Sequence, residues 1–530
     1  MPNDHLTSSH EAAALIELIW PEGGMAAPAP VLRALHGSAA SREIEQKVQA
    51  GLPAHTLMRR AGAALAGLAR AIAPHGRVAC IVAGPGNNGG DGLDAAIHLR
   101  AAGWTVLVHH IAAAAGRHPP ADAQDALLRA QQAGVTIVAG PPQPAGLAQA
   151  DIVIDALLGL GVTSAPVGEI AQAIACINAW ADGRAQAADR PVLSVDLPSG
   201  LDADTGHLDH PQQPGRCVRA SHTISLLTLK PSLFTAHGRD QAGVVWFCDL
   251  DAGMQEGRPT AWLNVPAGRS PRLHAEHKGS YGNVAVLGGA SGMTGAAWLA
   301  ARTALHAGAG RVHVQLRASG PTWDAGSPEL MVRPALDWQA AADQDWVGVA
   351  GCGGGEAISQ PLPQLLSALP RLVLDADALN AVAREAALQA LLTARASRGW
   401  ATVMTPHPLE AARLLGIDVR AVQADRLAAA RGLADRFGSV TVLKGSGTVI
   451  ASPGGVPWIN PTGNARLGTA GTGDVLAGWI AGLWAATAAR GWSAEQAARQ
   501  AVYAHGRQAD DWPPVRALTA GALAQTPSLT

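Results

Sequence analysis

The chain has 530 residues, of which 48% are hydrophobic, and its 39 basic and 41 acidic side chains give a formal net charge of −2. This composition excludes a disordered chain and a general binder of nucleic acids or acidic membranes, which needs a basic excess. The length exceeds what one hydrophobic core supports, so we expect more than one domain. The 61 glycines indicate either low complexity or close approach of the backbone to a ligand.

The first 30 residues are rich in Ala and Pro, and we interpret them as a tail. They carry acids, histidines and an early proline, which is not the pattern of a secretory signal. The five cysteines are dispersed, which predicts free thiols in a reducing, cytoplasmic compartment. No apolar run is long enough to cross a membrane, so we expect no membrane association.

A first domain is predicted over residues 31–251. It begins with helical periodicity, for which Ser41 is a plausible N-cap. Short, continuously apolar strands then alternate with helices, and the strands lie at 78–84, 104–111, 151–159 and 191–200. This alternation is typical of a parallel sheet covered by helices on both faces.

A segment rich in Gly, Pro and charge at 252–272 predicts a linker, and a second alternation of strands and helices fills 273–530. It includes the strand sequences NVAVLGG, RVHVQL, WVGVAG and VTVLKG. We therefore predict a second doubly wound α/β domain. The two halves share no residue-level repeat, which favours a fusion over a duplication.

The glycine-rich segment GPGNNGGDG at 84–92 follows a strand and precedes a helix. Such a turn lets backbone amides and a helix N-terminus approach an anion, although it matches neither the P-loop nor the GxGxxG pattern. Asn87, Asn88 and Asp91 add polar groups that a tight turn alone does not need. A purely structural turn remains the alternative.

Two further strand ends in the first half carry carboxylates. Asp155 ends IVID, and Asp196 ends LSVD and is followed by Ser199 in the next turn. Ligands bind at the carboxyl ends of strands in open α/β sheets, and oxygen ligands suit a hard cation. Either aspartate taken singly could instead cap a helix.

In the second half, TAGTGDVLAG at 469–478 places Asp474 directly after a Gly-Thr-Gly turn that opens a helix. Amides of such a turn can polarise a phosphoryl group while the carboxylate accepts a proton from a hydroxyl. The segment KGSGT at 444–448 supplies one cation and several amides that suit a nucleotide. His407 in TPHPLE and the turn GGASGMTG at 288–295 follow other strands, and both have structural alternatives.

These motifs resemble the family of bifunctional NAD(P)H-hydrate repair enzymes. The resemblance covers nearly the whole chain from about Val31 and rests on LMRRAG, GPGNNGGDG, DALLGLG, VDLPSGLDADTG, HKGSYGNVAVLGG, LDADALN, TPHP and GTGDVLAG, in family order. It implies an N-terminal Rossmann-like three-layer domain that epimerises NAD(P)H hydrate. It further implies a C-terminal ribokinase-like domain that dehydrates the S hydrate to NAD(P)H, converting ADP to AMP and phosphate.

For the first domain, the resemblance implies a hydrate-binding loop, a second hydrate-binding stretch and a potassium site. Asp196 is the expected acid/base group of the epimerisation and also contacts the hydrate. The expected hydrate contacts are Asn87, Asn88, Gly89, Gly90 and Asp91 together with Gly159, Leu160, Gly161, Val162, Thr163, Ser164 and Ala165. The expected potassium ligands are Asn88, Asp155 and Ser199.

For the second domain, the resemblance implies that Asp474 is the base in phosphorylation of the hydrate hydroxyl by ADP, with Mg²⁺ neutralising charge. The expected hydrate contacts are Ala296, Gly353, His407 and Asp474. The expected nucleotide contacts are Lys444, Gly445, Ser446, Gly447, Thr448 and Gly473. Elimination of phosphate then regenerates NADH or NADPH.

The chain departs from the family pattern at two turns. GCGGG at 351–355 has Cys352 and Gly354 where Pro and Leu are usual, which predicts a looser turn, and Leu409 stands where Gly is usual.

The expected partners are NADHX, NADPHX and ADP, with no nucleic acid, and we expect a homo-oligomer. A vitamin or sugar kinase with an accessory domain, and a regulatory scaffold that binds nucleotides without turnover, remain alternatives.

Overall fold

A computed structural model of the chain describes residues 16–20, 31–161, 164–183, 190–209, 213–253, 257–266, 272–319 and 323–525. The chain divides into two compact units. The first contains strand 16–20, His36–Leu233 and Asp240–Arg258, and the second contains strand 33–35, Phe234–Arg239 and the chain from Pro259 onward. In the described part of the chain, no helix has both the length and the apolar character needed to cross a membrane.

The strands of the described residues are β1 (Ile16–Trp20), β2 (Arg33–Leu35), β3 (Val78–Ala83), β4 (Thr105–His110), β5 (Thr136–Ala139), β6 (Ile152–Ala156), β7 (Val192–Val195), β8 (His222–Leu226), β9 (Val244–Cys248), β10 (Ala261–Leu263), β11 (Asn283–Gly288), β12 (Arg311–Leu316), β13 (Met331–Val332), β14 (Val347–Ala350), β15 (Arg371–Leu374), β16 (Ala401–Met404), β17 (Val440–Leu443), β18 (Val449–Ala451) and β19 (Trp458–Ile459).

The α-helices are α1 (Ser38–Ala50), α2 (Thr56–Ile72), α3 (Asn87–Ala101), α4 (Ala121–Gln132), α5 (Pro144–Leu147), α6 (Gly168–Asp182), α7 (Gly238–Gln241), α8 (Thr294–His306), α9 (Trp338–Asp343), α10 (Leu362–Ala368), α11 (Ala376–Arg384), α12 (Ala386–Ser397), α13 (Pro408–Leu415), α14 (Val419–Ala424), α15 (Arg426–Phe437), α16 (Thr472–Ala488), α17 (Ala494–Asp510) and α18 (Ala520–Gln525).

The first unit is built on an eight-stranded sheet in the order β1-β9-β8-β7-β6-β3-β4-β5. All neighbours are parallel except the edge strand β1, which runs antiparallel to β9. Adjacent residues of β3 enter separate apolar clusters, with Ile81 in one and Cys80 and Val82 in the other. Both faces of the sheet are therefore covered, which explains why its strands are continuously apolar.

The second unit is built on an eleven-stranded sheet in the order β13-β12-β11-β14-β15-β16-β17-β18-β19-β10-β2. The run from β13 to β17 is parallel, and β18, β19, β10 and β2 extend it as a mixed edge. Val284 and Val286 enter one apolar cluster, whereas Ala285 and Leu287 enter another. The prediction of two doubly wound α/β units is confirmed.

Three local predictions need correction. Strand β1 lies within the segment interpreted as a tail, and β10 lies within the segment interpreted as a linker. Edge strand β1 pairs with β9, and the three-residue strand β10 lies between β19 and β2, so both pair with segments that are distant in the chain. Ser41 does not cap α1, which begins at Ser38 after Gly37. Its buried hydroxyl instead donates to the carbonyl of His36 at 3.1 Å.

Helices α8 and α16 pack closely because small residues face each other across their contact. A Cβ atom on Gly478 would lie 2.2 Å from the carbonyl oxygen of Ala300, and one on Gly482 would lie 2.3 Å from that of Ala304. We expect Gly478→Ala to lower the free energy of unfolding by about 1–3 kcal/mol through overpacking. Gly432→Ala in α15, where a Cβ meets only an ordinary contact, is the control in urea unfolding. Equal stability of the two variants would contradict the expectation.

Candidate active sites

The loop after β3 begins the first site, at the point where neighbouring connections leave the sheet in opposite directions. Ligands bind at such switch points in open α/β sheets. A Cβ on Gly84 would lie 1.9 Å from the carbonyl oxygen of Leu157, so only glycine permits this approach of two strand ends. Helix α3 then starts at Asn87.

A cavity of about 470 Å³ lies beyond these strand ends. The residues predicted to bind the hydrate that line this cavity are Asn87, Asn88, Asp91, Gly159, Leu160, Gly161 and Asp196. Gly89 and Gly90 are buried in α3 and pack against Gly84 and Met58, so the structure gives them a packing role. Ser164 and Ala165 are exposed and are not among the described lining residues. Val162 and Thr163 lie outside the described residues.

Asn88, Asp155 and Ser199 come together beneath this cavity. The Ser199 hydroxyl donates to Asp155 Oδ1 at 2.6 Å, the Ser199 amide donates to Oδ2 at 2.9 Å, and the Ser194 hydroxyl donates to Oδ2 at 2.7 Å. The Asn88 amide donates to the carbonyl oxygen of Leu158 at 3.0 Å, which also lies 3.2 Å from the Ser199 hydroxyl. The three predicted potassium ligands therefore belong to one connected group.

The Asp155 carboxyl is completely buried. Burial raises its pKa, while the hydrogen bonds from Ser199 and Ser194 oppose this rise. The described residues provide no ion pair for this group. A monovalent cation at this position would supply the missing positive charge, so the donor set fits such an ion.

Asp196 follows β7 in a left-handed conformation with φ of 65°, which Asp and Asn tolerate better than most residues. Its Oδ1 atom accepts hydrogen bonds from the Leu226 amide at 3.1 Å and from the Lys230 ammonium group. The Lys230 side chain is only 1% exposed and also donates to the Leu226 carbonyl at 2.9 Å. The Asp196 carboxylate is thus fixed at the cavity by a buried ion pair.

Sequence reasoning did not identify four charged residues of this cavity, Lys230, Glu45, Arg42 and Asp122. Lys230 follows β8, and its position after a buried strand is the sequence signal that could have identified it. Arg42 donates to the Leu160 carbonyl oxygen at 3.1 Å and so supports the GLG turn, residues 159–161. Helix α1 carries Arg42 and Glu45, and its helical pattern gave no sign that one face borders a cavity.

Several acidic groups share this site. Burial raises the pKa of Asp91 well above its ordinary value, and the neighbouring carboxylates of Asp196 and Glu45 add to the rise. Burial likewise raises the pKa of Glu45, with a further contribution from Asp196. The cavity therefore combines two carboxyl groups whose pKa values are raised, Asp91 and Glu45, with the Asp196 carboxylate, which is paired to the Lys230 ammonium group.

The second site lies at the start of α16, where Gly471 has a φ of 90° and Thr472 donates its hydroxyl to the carbonyl of Leu467 at 2.7 Å. Asp474 is in the first turn, and its carboxylate lies with Cys352 and Asp375 in a group whose ligand atoms are within 4.8 Å of one another. Burial raises the pKa of Asp474 to about 6, Asp375 adds to this rise, and the Cys352 thiol opposes it by hydrogen bonding.

The predicted nucleotide contacts surround Lys444 beside this helix start. Lys444 donates to Asp375 Oδ1 at 2.7 Å, and a Cβ on Gly473 would lie 3.2 Å from Lys444 Nζ. Burial lowers the pKa of Lys444, but Asp375, Glu410 and Asp474 outweigh it and raise the value overall. Lys444 therefore stays positively charged where a phosphate is expected.

The KGSG turn is supported from behind by groups that sequence reasoning did not identify. The buried Arg426 donates to the carbonyl oxygens of Leu443 and Lys444 at 3.1 and 3.2 Å. The Thr235 hydroxyl donates to the carbonyls of Ser446 and Gly447 at 3.2 and 3.1 Å. These bonds fix Gly445 to Thr448 and leave Ser446 and Gly445 exposed.

The remaining predicted hydrate contacts occupy two further turns. A Cβ on Gly353 would lie 2.9 Å from Ala296 Cβ, so these two residues are adjacent. The GCGGG turn is not loose, because the Gly354 amide donates to Gly351 at 2.9 Å and the Ala290 amide donates to Gly353 at 2.6 Å. His407 caps α13, accepting from the amides of Leu409 and Glu410 at Nδ1.

Both halves of the chain match families of known proteins. A family model described as YjeF-related protein N-terminus matches residues 54–232, and one described as NAD(P)H-hydrate dehydratase matches residues 284–526. The chain is 35% identical over 449 residues to the bifunctional NAD(P)H-hydrate repair enzyme Nnr of Escherichia coli (strain K12), covering 82% of this chain and 81% of that protein. The chain belongs to the family of bifunctional NAD(P)H-hydrate repair enzymes.

A second member of the bifunctional repair family, from Coxiella burnetii, is 34% identical over 484 residues, which cover 88% of this chain and 93% of that protein. Among solved structures, an ADP/ATP-dependent NAD(P)H-hydrate dehydratase from Bacillus subtilis, co-crystallised with ATP and Mg²⁺, is 29% identical. That alignment covers 49% of this chain and 91% of the other, with a TM-score of 0.38. In the present chain, the range matched by the first family model contains Asp196 and Lys230, and the range matched by the second contains Lys444 and Asp474.

Proposed function

We propose that the chain repairs hydrated nicotinamide nucleotides through two activities. The first unit interconverts the R and S forms of NADHX and NADPHX, as an isomerase. The second unit dehydrates the S form with conversion of ADP to AMP and phosphate, as a lyase. The observation that carries the proposal is the presence in one chain of two carboxylate–lysine pairs, Asp196 with Lys230 and Asp375 with Lys444, each beside a glycine-rich strand end.

In the second site, we assign Asp474 as the base that takes the proton from the hydrate hydroxyl. The hydroxyl oxygen attacks the β-phosphorus of ADP, the bond to the bridging oxygen breaks, and AMP leaves. The phosphorylated hydrate then loses phosphate and a neighbouring proton, which gives NAD(P)H. Lys444 and the amides at the start of α16 bind phosphate oxygens, and Gly445 to Thr448 with Gly473 border the nucleotide.

Mg²⁺ would neutralise charge on the phosphates during this transfer. Mg²⁺ usually takes one or two protein carboxylates and substrate phosphates. Lys444 already neutralises Asp375. Asp377, whose Oδ2 accepts the Gly355 amide at 2.8 Å, fits better as the protein ligand. We assign Ala296, Gly353 and His407 as neighbours of the hydrate, although both ring nitrogens of His407 already have partners at the helix cap.

In the first site, we assign Asp196 as an acid/base group in the inversion at the hydrated carbon, with the cavity residues of 87–91 and 159–165 around the hydrate. K⁺ would bind through Asn88, Asp155 and Ser199 and supply positive charge beneath the GLG turn. The predicted homo-oligomeric state and cytoplasmic location stay predictions.

The function is tested by mixing the purified chain with R and S hydrate and either ADP or ATP. Recovery of reduced-nicotinamide absorbance from both epimers, with release of AMP and phosphate, is expected. Recovery from the S form alone would leave the first unit without the proposed activity. A stable phosphorylated product would favour a kinase, and binding without turnover would favour a scaffold.

Addition of K⁺ is expected to raise the melting temperature of the first unit, because the ion binds the folded state beside the buried Asp155. The measurement is a thermal shift of the full chain in KCl against choline chloride at equal ionic strength. Asp155→Asn should remove the K⁺-specific part of the shift, whereas Asp182→Asn on the surface of α6 should keep it. An equal shift in both variants would contradict the assigned site.

Dehydration is expected to slow as the pH falls through about 6, because the Asp474 carboxyl, whose pKa is raised to about 6, must be ionised to accept a proton. The measurement is kcat/KM for ADP-dependent dehydration of S hydrate between pH 5 and 8, since this parameter follows the free enzyme. Cys352→Ala removes a hydrogen bond to the carboxylate and should move the acidic limb to higher pH. A flat profile in this range would exclude Asp474 as the titrating base.

A further inference from the structure

The cavity of the first unit contains a second carboxyl group suited to proton transfer, besides Asp196. We propose that Glu45 is an acid/base residue of the epimerisation and acts on the hydrate together with Asp196. This inference rests on the proposed epimerase function and extends it by a residue outside the matched family range of 54–232.

Glu45 and Asp196 reach the same cavity from separate elements. Glu45 lies on α1 and Asp196 follows β7, and both line the space of about 470 Å³. Glu45 is half-buried, yet it forms no hydrogen bond or ion pair with the described residues. Glu43 on the same helix is exposed and pairs with Lys47 at 2.7 Å. On helix α1, Glu43 therefore forms an ion pair on the solvent-exposed face, whereas Glu45 is available to a ligand in the cavity.

The charged surroundings give the two carboxyl groups different roles. The groups that act on Glu45 are Asp196, Lys230, Asp122 and Arg42. Burial raises the pKa of Glu45, the two aspartates add to the rise, and the two cations oppose it. Asp196 has a direct ion pair with Lys230. Glu45 is thus suited to donate a proton at first, and Asp196 is suited to accept one.

Inversion at the hydrated carbon needs both roles. The carbon carries its hydroxyl next to the ring nitrogen, so the nitrogen lone pair can expel the hydroxyl when a proton is supplied to it. The C–O bond breaks, Glu45 gives its proton to the departing oxygen, water leaves and a C=N bond forms. A second water then adds to the opposite face and gives a proton to Asp196, which restores the nitrogen lone pair. The reverse direction exchanges the two roles, and solvent resets the protons.

The test compares Glu45→Gln with Glu43→Gln in the full chain. We expect Glu45→Gln to lower kcat for epimerisation by about 100-fold or more, with KM for the hydrate changed only a few-fold. Glu43→Gln should epimerise like the parent chain. Dehydration of pure S hydrate with ADP serves as an internal control, because it depends on the second unit and should be unchanged in both variants. Epimerisation by Glu45→Gln within three-fold of the parent rate would overturn the proposal.

Two further readouts separate proton transfer from a structural role. Glu45→Asp keeps a carboxyl group and should epimerise at least ten times faster than Glu45→Gln, so equal rates in the two variants would overturn the proposal even if both are less stable. In ¹⁸O-labelled water, each enzymatic inversion should introduce one labelled oxygen, and inversion without label would exclude the step. If the parent chain itself does not epimerise the hydrate, that result contradicts the proposed epimerase function, which is a different outcome from a failure of the Glu45 proposal alone.

Discussion

Asp474→Asn is expected to reduce ADP-dependent dehydration by about 1,000-fold while epimerisation continues at the parent rate. The amide has the shape of the carboxylate but cannot take a proton from the hydrate hydroxyl. Asp474 is suited to this task because its pKa is raised to about 6 by burial and by Asp375, so at neutral pH it is ionised but still basic. The measurement is the rate of phosphate release from S hydrate and ADP under saturating conditions.

The matched control for this variant is Asp343→Asn, which changes an exposed carboxylate at the end of α9 in the same unit. It should leave dehydration unchanged. Binding of ADP to Asp474→Asn, measured calorimetrically, should stay within a few-fold of the parent, because Lys444 and the turn amides remain. Dehydration by Asp474→Asn above one tenth of the parent rate would show that another group accepts the proton.

Asp196→Asn is expected to slow interconversion of the R and S hydrates by about 100- to 10,000-fold. Asparagine tolerates the left-handed conformation at this position, so the loss would come from the missing carboxylate and not from backbone strain. It also leaves the buried Lys230 without its counter-ion, which is expected to cost about 3 kcal/mol of stability. The measurement is epimer exchange followed by chromatography, with dehydration of S hydrate as the control for the second unit.

The double variant Asp196→Asn/Lys230→Met distinguishes the loss of stability caused by an unpaired buried charge from the loss of epimerisation caused by the missing carboxylate. Removing both charged groups should restore most of the stability lost in the single variant, because no unpaired ammonium group remains buried. Epimerisation should stay as slow as in Asp196→Asn. Normal epimerisation in either variant would be incompatible with the assigned role of Asp196.

The sequence was sufficient to predict the α/β architecture and the strand ends that carry Asp155 and Asp196, because buried parallel strands have a strong local pattern. It was also sufficient to predict the glycine-rich turn that places Asp474 at the start of a helix. It was insufficient for β1, β2 and β10, whose pairing depends on distant segments that local periodicity does not report. Strands of three residues, such as β2 and β10, are also too short to show alternation.

Contacts between segments that are distant in the chain also limited the prediction of the two candidate active sites. Lys230 and Glu45 reach the cavity from elements that were not connected to it in the sequence, and only the fold brings them to Asp196. Gly89 and Gly90 were predicted to bind the hydrate because they belong to a recognisable motif. The structure shows close packing of Gly89 against Gly84 and of Gly90 against Met58, and their contact with the hydrate stays a prediction. Burial and neighbouring charge also set the pKa of Asp474, and neither is visible before the chain is folded.

Segment Phe234–Arg239 and strands β2 and β10 belong to the second unit although they precede residue 273 in the chain. A fragment cut at the predicted boundary and starting at residue 273 would lack two strands of its sheet and Thr235, which holds the KGSG turn. Splitting this gene into two independently expressed enzymes would therefore require transplanting pieces of the first half onto the second. Because of the order of segments along the chain, no single cut separates the two units completely.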